Sequence, residues 1–383
     1  MLRFRHALLA FLLAWPALEA ASAPCAGPFR FTEGSFGGGR LRYINGLPVL
    51  EVQGTPEEMG RQQAELVSDA ARHLISFPAE LLAVVGREDR WPAFVRMGKA
   101  MLPQFPQHHL AELEAFARTS GCEADLLVGL NTMIDTYRGG LGCSSLMVAP
   151  ERSATGGPLF GRNLDFFTLG KLQQYTLVTV YRPEGRHAFA SVSFPGLFGC
   201  LSGINDAGLA VAVHEVHFSR DGGALLDPKG VPYALGFRRV LEECSTVEEA
   251  QELVASMKRT TLLSLAVCDR RGGAVLEITP KSVVLRRGSD GLSACTNHFR
   301  SPALGMFAFA WRYRLLMSAG RIPLVDVSDV QRKLHAANLG RLTMQTMVFE
   351  PEPLVLHLAY GSCPSSALRL ERLELAPLFQ RRD

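Results

Sequence analysis

The chain has 383 residues, 47% of them hydrophobic and 20% charged, the balance of an ordinary globular protein with length for one large domain or two smaller ones. Lys and Arg number 40 against 37 Asp and Glu, a formal charge of +3. That small excess, with no basic cluster interleaved with aromatics, sets aside a nucleic-acid partner or an electrostatic membrane-surface role.

The opening stretch, MLRFRHALLAFLLAWPALEAASAPC, has Arg3 and Arg5, an apolar run from Ala7 to Leu18, then small residues. Positive, apolar, small is the layout of a secretory signal peptide, and the run is short for a bilayer span. We expect a signal peptide over residues 1–23 and a secreted or periplasmic protein with no transmembrane anchor. Export changes how the eight cysteines read, because thiols outside the cytoplasm commonly pair. Cys25, Cys122, Cys200, Cys244, Cys268, Cys295 and Cys363 are scattered, with neither a CxxC pair nor a zinc spacing.

Residues 56–140 have apolar residues at helical spacing, between Pro and Gly breaks. PEEMGRQQAELVSDAARHLISFPAELLAVV, WPAFVRMGKAMLPQF, HHLAELEAFARTS and ADLLVGLNTMIDTY each predict helix. The texture changes sharply at Gly139–Cys143. Beyond it SSLMVA, LFGRNLDF, YTLVTVYR, HAFASVSF and GLAVAVHEV predict strands separated by turn residues. Helices return at YALGFRRVLEEC and VEEAQELVASM. LLSLAVCDRRGGAVLEIT reads as a hairpin turning at Arg271-Gly272-Gly273, and TMQTMVFEPEPLVLHLAYG as a further strand pair. Strand runs bracketing helices, not interleaved with them, point to an α+β fold of stacked sheets with helical layers.

Cys143 follows Gly142 at the change of texture. Were the Gly142–Cys143 bond cut, Cys143 would gain an α-amine, which titrates near pH 8 (about 7.7–8.0) and is suited to deprotonating the adjacent thiol. Gly142 places little steric barrier before attack by the thiol on the preceding carbonyl. Arg162 and Asp165 lie on a strand expected to pair back towards Cys143, offering a positive charge and an acceptor for that amine. Three further stretches hold polar groups suited to acyl transfer. SGINDAGLAVAVHEV places Asn205 and Asp206 in a turn before a strand ending at His214 and Glu215. ACTNHF places Asn297 and His298 at a strand end, where an asparagine amide could serve as oxyanion donor. FAWRYRLLM puts Arg312 and Arg314 at a helix start.

In this order GTPEEMGRQQAEL, GLGCSS, FGRNLD, GINDAGLAV, TNHF and LERLELAPLF resemble the N-terminal-nucleophile hydrolases of the acyl-coenzyme A:6-aminopenicillanic acid acyltransferase (C45 peptidase) type, relatives of the choloylglycine hydrolases and acid ceramidase. The resemblance covers nearly the whole mature chain. It implies a four-layer αββα sandwich, a helical α-chain or propeptide segment over 24–142 and a catalytic β-chain domain over 143–383. It implies self-cleavage between Gly142 and Cys143, giving an α/β-chain heterodimer from one precursor. Cys143 then matches the nucleophile, Arg162 and Asp165 the pair beside it, and Asn297 the oxyanion asparagine. Arg312 stands where the family has a late arginine, although a Ser-Arg pair there reads Trp311-Arg312 here. Glu215, with His214 beside it, falls where bile-salt hydrolases have asparagine, which turns the expectation away from bile salts and leaves the second donor open between a side chain and a backbone N–H.

The expected function is therefore an exported amidohydrolase or acyltransferase acting on a small-molecule N-acyl amide through a Cys143 thioester. Two other readings stand beside it: an unprocessed thiol enzyme pairing Cys143 with His298 or His214, and a secreted binding protein of the same fold. The remaining candidates for substrate or oxyanion contact are Asn205, His214, Glu215, His298 and Arg312. Phe166, Phe194, Phe198 and Phe307 are candidates for lining an acyl pocket. The histidines show no HExxH or comparable pattern, so neither a metal nor a cofactor is expected.

Overall fold

A computed structural model describes residues 27–137, 141–306 and 310–381. The residues expected to form the signal peptide, Cys25, Gly139 and Phe307 lie outside them. The chain opens with β1 (Gly34–Phe36), β2 (Gly39–Ile44) and β3 (Leu47–Gly54), then passes through α1 (Pro56–Arg72), α2 (Phe77–Val84), α3 (Trp91–Met101), α4 (Gln107–Ser120) and α5 (Ala124–Thr136). Next come β4 (Gly142–Val148), β5 (Leu159–Asp165), β6 (Leu177–Pro183), β7 (Phe189–Ser193), β8 (Ser202–Asn205) and β9 (Ala210–Glu215). After α6 (Tyr233–Glu243) and α7 (Val247–Ser256) follow β10 (Leu263–Asp269), β11 (Gly272–Ile278), β12 (Val283–Arg287) and β13 (Leu292–Cys295). The last elements are α8 (Trp311–Met317), α9 (Val327–Ala336), β14 (Thr343–Glu350), β15 (Val355–Tyr360), β16 (Glu371–Glu374) and α10 (Ala376–Phe379).

Two sheets result, one of ten strands in the order β1-β2-β3-β6-β7-β8-β9-β10-β11-β12 and one of six in the order β13-β4-β5-β14-β15-β16. Neighbours pair antiparallel except β3 with β6. Three buried clusters set the layer order. Val49, Val178, Ala212, Phe160, Met347 and Leu356 form a core between the sheets. Val52, Phe189, Val211 and Leu265 face Phe116, Phe237 and Val240 of the first helical layer. Leu146, Val148 and Val348 face Leu316 and Leu334 of α8 and α9. The fold is an αββα sandwich.

Ahead of the helices expected over 56–140, the leader contributes three strands, β1–β3. Asn45 and Gly46 sit at φ 50° and 80°, with Ile44 opposite Leu47, the two-residue turn that Asn-Gly between apolar runs favours. The second hairpin turns one step earlier than expected: Asp269 pairs with Gly272 and Cys268 with Gly273, leaving Arg270 and Arg271 as the turn. Cysteine pairing is absent at Cys122, Cys143, Cys200, Cys244, Cys268 and Cys295, which are free thiols.

Helix α1 starts from a capping box, in which Thr55 Oγ1 accepts the Glu58 N–H and the Glu58 carboxylate accepts the Thr55 N–H. It crosses α4 so closely that a Cβ added at Gly60 would lie 2.3 Å from Glu112 O and 2.9 Å from Ala115 Cβ. Gly60→Ala is therefore expected to force the helices apart and cost about 1–3 kcal/mol, read as a lower urea midpoint at unchanged m-value.

Candidate active site

Strand alternation on β4 decides where the thiol points. Leu146 and Val148 join the core under α8 and α9, so Cys143, Ser145 and Met147 face the other way, towards the ten-stranded sheet. Cys143 is fully buried and stands opposite Leu164 of β5, as Ser145 stands opposite Arg162. Arg162 bridges the sandwich: Nε donates to Ser202 Oγ at 2.9 Å and Nη1 to Val213 O at 2.7 Å. Burial pushes the Cys143 thiol up to about 11, and Arg162, by charge and hydrogen bonding, is the strongest influence lowering it. The uncut chain thus keeps the thiol protonated at neutral pH.

A second set of groups holds the backbone around the Gly142–Cys143 bond. Asn297 Oδ1 accepts the Cys143 N–H at 2.9 Å, while Asn297 Nδ2 donates to Leu141 O at 3.0 Å and Glu215 O at 2.9 Å. Glu215 Oε2 accepts the Leu141 N–H at 2.9 Å. Arg312 Nη1 donates to Cys143 O at 3.0 Å and lies 3.4 Å from Asp165 Oδ2, and its Nη2 donates to Asn297 Oδ1 at 2.7 Å. Thr343 Oγ1 donates to Asp165 Oδ1 at 2.6 Å. Burial raises the Asp165 carboxyl, opposed by Arg312, Thr343 and Arg162. Opposite Asp165 the space at 142 is tight, because a Cβ there would lie 2.7 Å from Leu339 Cδ1 and 3.0 Å from Asp165 Cβ and would push both side chains aside.

Cys143, Arg162, Asp165, Asn297, Glu215 and Arg312 are thus brought together. Asn205 is not: its Nδ2 donates to Leu241 O and Cys244 O, and its Oδ1 accepts the Leu209 N–H. Its amide is consumed in joining its own hairpin to the end of α6, which removes it from the oxyanion candidates. His214 faces the space between the sheets, with Nδ1 3.2 Å from Ala212 O. Its pKa is pushed well below the ordinary value by burial and by Arg162. His298 contacts Thr296 Oγ1 at 3.0 Å and is held down to about 4, by burial first and then by Arg300, Arg286 and Arg312. Neither histidine hydrogen-bonds Cys143, and both are poor bases at neutral pH.

Next to Leu164, the strand partner of Cys143, lies a narrow cavity of about 40 Å³ with a wholly apolar lining. Leu141, Leu164, Phe166, Phe194, Met133 and Met344 contribute to its wall, and Cys143 belongs to the same buried cluster. Of the expected acyl-pocket residues, Phe166 and Phe194 line this cavity. Phe198 is not, since it packs edge-on against Phe116 with ring centroids 5.3 Å apart.

Among the described residues one trio has metal-ligand spacing: His108, His109 and Glu242. Both Nε2 atoms lie 2.9 Å from Glu242 Oε2, while Glu242 Oε1 accepts from Arg238 Nε at 2.8 Å. His109 Nδ1 is buried without a partner, whereas a metal-bound imidazole almost always donates that second N–H. The trio fits a buried ion-pair network, in which Arg238 also binds Glu112 at 2.6 Å, better than a metal centre. Burial holds His109 down to about 3 from 6.5, so between those values the unfolded chain binds a proton that the folded chain refuses. Its contribution to stability is complete above about 6.5 and is lost as pH falls towards 3. Glu242, well below its ordinary value, acts in the same sense, while Glu112, raised by burial, acts oppositely. Comparing urea midpoints from pH 7 to pH 4 for the natural protein and His109→Gln isolates the histidine. The natural protein is expected to have the steeper decline, by up to about 1.4 kcal/mol per pH unit.

The family model described as acyl-coenzyme A:6-aminopenicillanic acid acyl-transferase matches residues 152–345, a span that includes Arg162, Asp165, Glu215, Asn297 and Arg312 and begins after Cys143. An uncharacterised protein of Archaeoglobus fulgidus is 22% identical over 361 residues, covering 77% of this chain and 59% of the relative. The protein dcd1A of Dictyostelium discoideum is 24% identical over 247 residues, covering 56% of this chain and 54% of the relative. The chain thus spans less than two thirds of the length of either relative. Among solved structures, a variant of the conjugated bile acid hydrolase of Clostridium perfringens aligns with a TM-score of 0.43 at 15% identity, covering 62% of this chain and 95% of that one. The N-acylethanolamine-hydrolyzing acid amidase ortholog of Caenorhabditis elegans aligns with a TM-score of 0.41 at 18% identity, covering 54% and 92%.

Proposed function

The chain belongs to the acyl-coenzyme A:6-aminopenicillanic acid acyl-transferase family, and from that premise we propose an exported, self-processing enzyme that cleaves or transfers the acyl group of an N-acyl amide through Cys143. The observation that carries this reading is the grip of Asn297, Glu215 and Arg312 on Leu141–Cys143, beside a thiol and an apolar cavity.

In the first step Cys143 Sγ attacks the Gly142 carbonyl carbon. The new S–C bond replaces the C–N bond, and the thiol proton ends on the released α-amine. Water then hydrolyses the thioester, leaving a carboxylate on Gly142 and a thiol on Cys143. Departure of residues 141–142 would release the Asn297 Nδ2 hydrogen bond to Leu141 O while leaving the one to Glu215 O, would end the Glu215 contact with the Leu141 N–H, and would remove Leu141 from the cavity wall. Release from burial would lower the Cys143 thiol, leaving the charge of Arg162 beside it to favour the thiolate.

With an N-acyl amide bound, the α-amine takes the thiol proton and the thiolate attacks the acyl carbon. Asn297 Nδ2 donates to the developing oxyanion. Collapse breaks the C–N bond, and the leaving amine takes the proton from the α-ammonium. Water or a second amine then resolves the thioester. The acyl group is taken to be apolar, from the Leu, Phe and Met lining of the cavity. The test is rapid quenching with an N-acyl amide in excess. An intact-mass increment equal to the acyl group on the Cys143 peptide is the expected result, and turnover with the label elsewhere would contradict it.

Cleavage would leave the two chains joined, because β3 pairs with β6 within one sheet and α4 and α5 pack into the core behind it. They are expected to co-elute in gel filtration and to separate only in denaturant. Export rests on the layout of residues 1–23, and fractionation of expressing cells tests it. No described helix is long and apolar enough to cross a membrane.

A further inference from the structure

A second chain of nucleophile, base and orienting acid lies away from Cys143, built from three separate connections of the ten-stranded sheet and its helices. Ser245 sits between α6 and α7, His187 in the turn between β6 and β7, and Asp206 in the turn between β8 and β9. Ser245 Oγ is 3.1 Å from His187 Nε2, and His187 Nδ1 is 2.5 Å from Asp206 Oδ1. Each member is held in place. Asp206 Oδ2 accepts the Ala188 N–H at 3.1 Å, and the Asp206 N–H donates to Ala188 O at 2.9 Å. The His187 N–H donates to Glu242 O at 3.1 Å, and the Ser245 N–H to Glu249 Oε2 at 2.6 Å. With Nδ1–H given to Asp206, Nε2 is left as the acceptor for the Ser245 hydroxyl, the tautomer that a serine nucleophile requires.

We infer that Ser245, His187 and Asp206 form a second hydrolytic site, a serine esterase centre for small polar carboxylic esters, independent of Cys143. His187 and Asp206 line an open cleft of about 1250 Å³, their side chains are 32% and 38% exposed, and Ser245 beside His187 is half-buried. The cleft wall includes His108, Arg186, Arg239 and Glu243 and no large aliphatic or aromatic side chain, which selects polar acyl and alcohol groups. Arg186 and Arg239 are both paired with Glu243, and Arg381 adds a further guanidinium to the wall. By analogy with serine hydrolases, in which the residue after the nucleophile donates its N–H to the oxyanion, that donor is assigned to Thr246 at the amino end of α7.

In the reaction Ser245 Oγ bonds to the ester carbon and its proton moves to His187 Nε2. The tetrahedral oxyanion collapses, the C–O bond to the alcohol breaks, and the alcohol leaves with the proton from Nε2. Water, deprotonated by the same nitrogen, then adds to the acyl-serine and releases the acid.

The experiment uses the full chain carrying Cys143→Ala, so that the thiol contributes nothing. It is treated with a small fluorophosphonate and digested for mass spectrometry, and p-nitrophenyl acetate hydrolysis is followed in parallel. Expected is a phosphonylated Ser245 and a matching loss of esterase activity. His187→Ala should slow labelling and hydrolysis by about 10²–10⁴-fold with an unchanged melting curve. No labelling of Ser245 in the folded Cys143→Ala protein would overturn the inference. So would ester hydrolysis undiminished by Ser245→Ala, or a Ser245→Ala effect on melting alone, which would mark the trio as a structural clasp.

Discussion

Cys143→Ala is expected to stay a single chain and to show no turnover of N-acyl amides. Both losses have one cause. Without sulfur nothing attacks the Gly142 carbonyl, so the α-amine is never made, and without the thiol no thioester forms. The substitution trims a small buried side chain in the cluster that also holds Leu141 and Leu164, so the fold should survive and melting should change little. Cys143→Ser separates the two roles. A hydroxyl is a slower nucleophile at the same position, and slow cleavage with weak turnover is the outcome that fits. Gel electrophoresis over days, with activity measured on the processed fraction, distinguishes these cases. A cleaved Cys143→Ala chain would assign processing to an outside protease.

Asn297→Ala carries the second large effect. In the uncut chain the Asn297 amide ties together the Cys143 N–H, Leu141 O, Glu215 O and Arg312. Its loss leaves several of these groups underpaired, a cost of about 1–3 kcal/mol for each one that water cannot reach, so precursor cleavage should slow. Once cleaved, the enzyme lacks the donor that strengthens most in the transition state. An oxyanion donor removed in this way typically lowers kcat by about 10²–10³-fold, roughly 2.7–4 kcal/mol, with KM little changed. Asp165→Asn should differ. That carboxylate touches Arg312 and Thr343 rather than Leu141, so its loss should act mainly by disturbing Arg312 and the new amine, and should reduce the processed fraction most. Processed Asn297→Ala with the natural kcat would make the asparagine structural only.

The site was legible in the sequence where its chemistry is local. The Gly142–Cys143 step, and Arg162 and Asp165 three residues apart on opposite faces of the next strand, follow from a hairpin whose register pairs Gly142 with Asp165 and Ser145 with Arg162. Asn297 sits two residues past the end of β13, which lies beside β4, where a strand end naturally presents a side chain to its neighbour's terminus. Glu215 was named, but its hold on the Leu141 N–H depends on contact between the two sheets and could not be read from spacing. Asn205 fits the same turn-and-strand pattern as a functional asparagine. Only the structure shows its amide turned inward to cap α6.

The missed strands β1–β3 had a usable signal in Asn45-Gly46 between Arg-Tyr-Ile and Leu-Pro-Val. The helical periodicity that follows at once drew the whole leader into one class. The Ser245, His187 and Asp206 grouping had no local signal at all, since 58 residues separate Ser245 from His187 and each lies in an unremarkable turn. The cysteines went the other way: export suggested pairing, while strand alternation buries Cys268 and Cys295 between the sheets.

Edman sequencing of the purified natural protein, joined to its intact mass, tests the central claim most directly. The account predicts two associated chains, one beginning Cys-Ser-Ser-Leu-Met at Cys143 and running to the end of the sequence, and the other ending at Gly142. A fully active single chain, or a cut at any other bond, would contradict it.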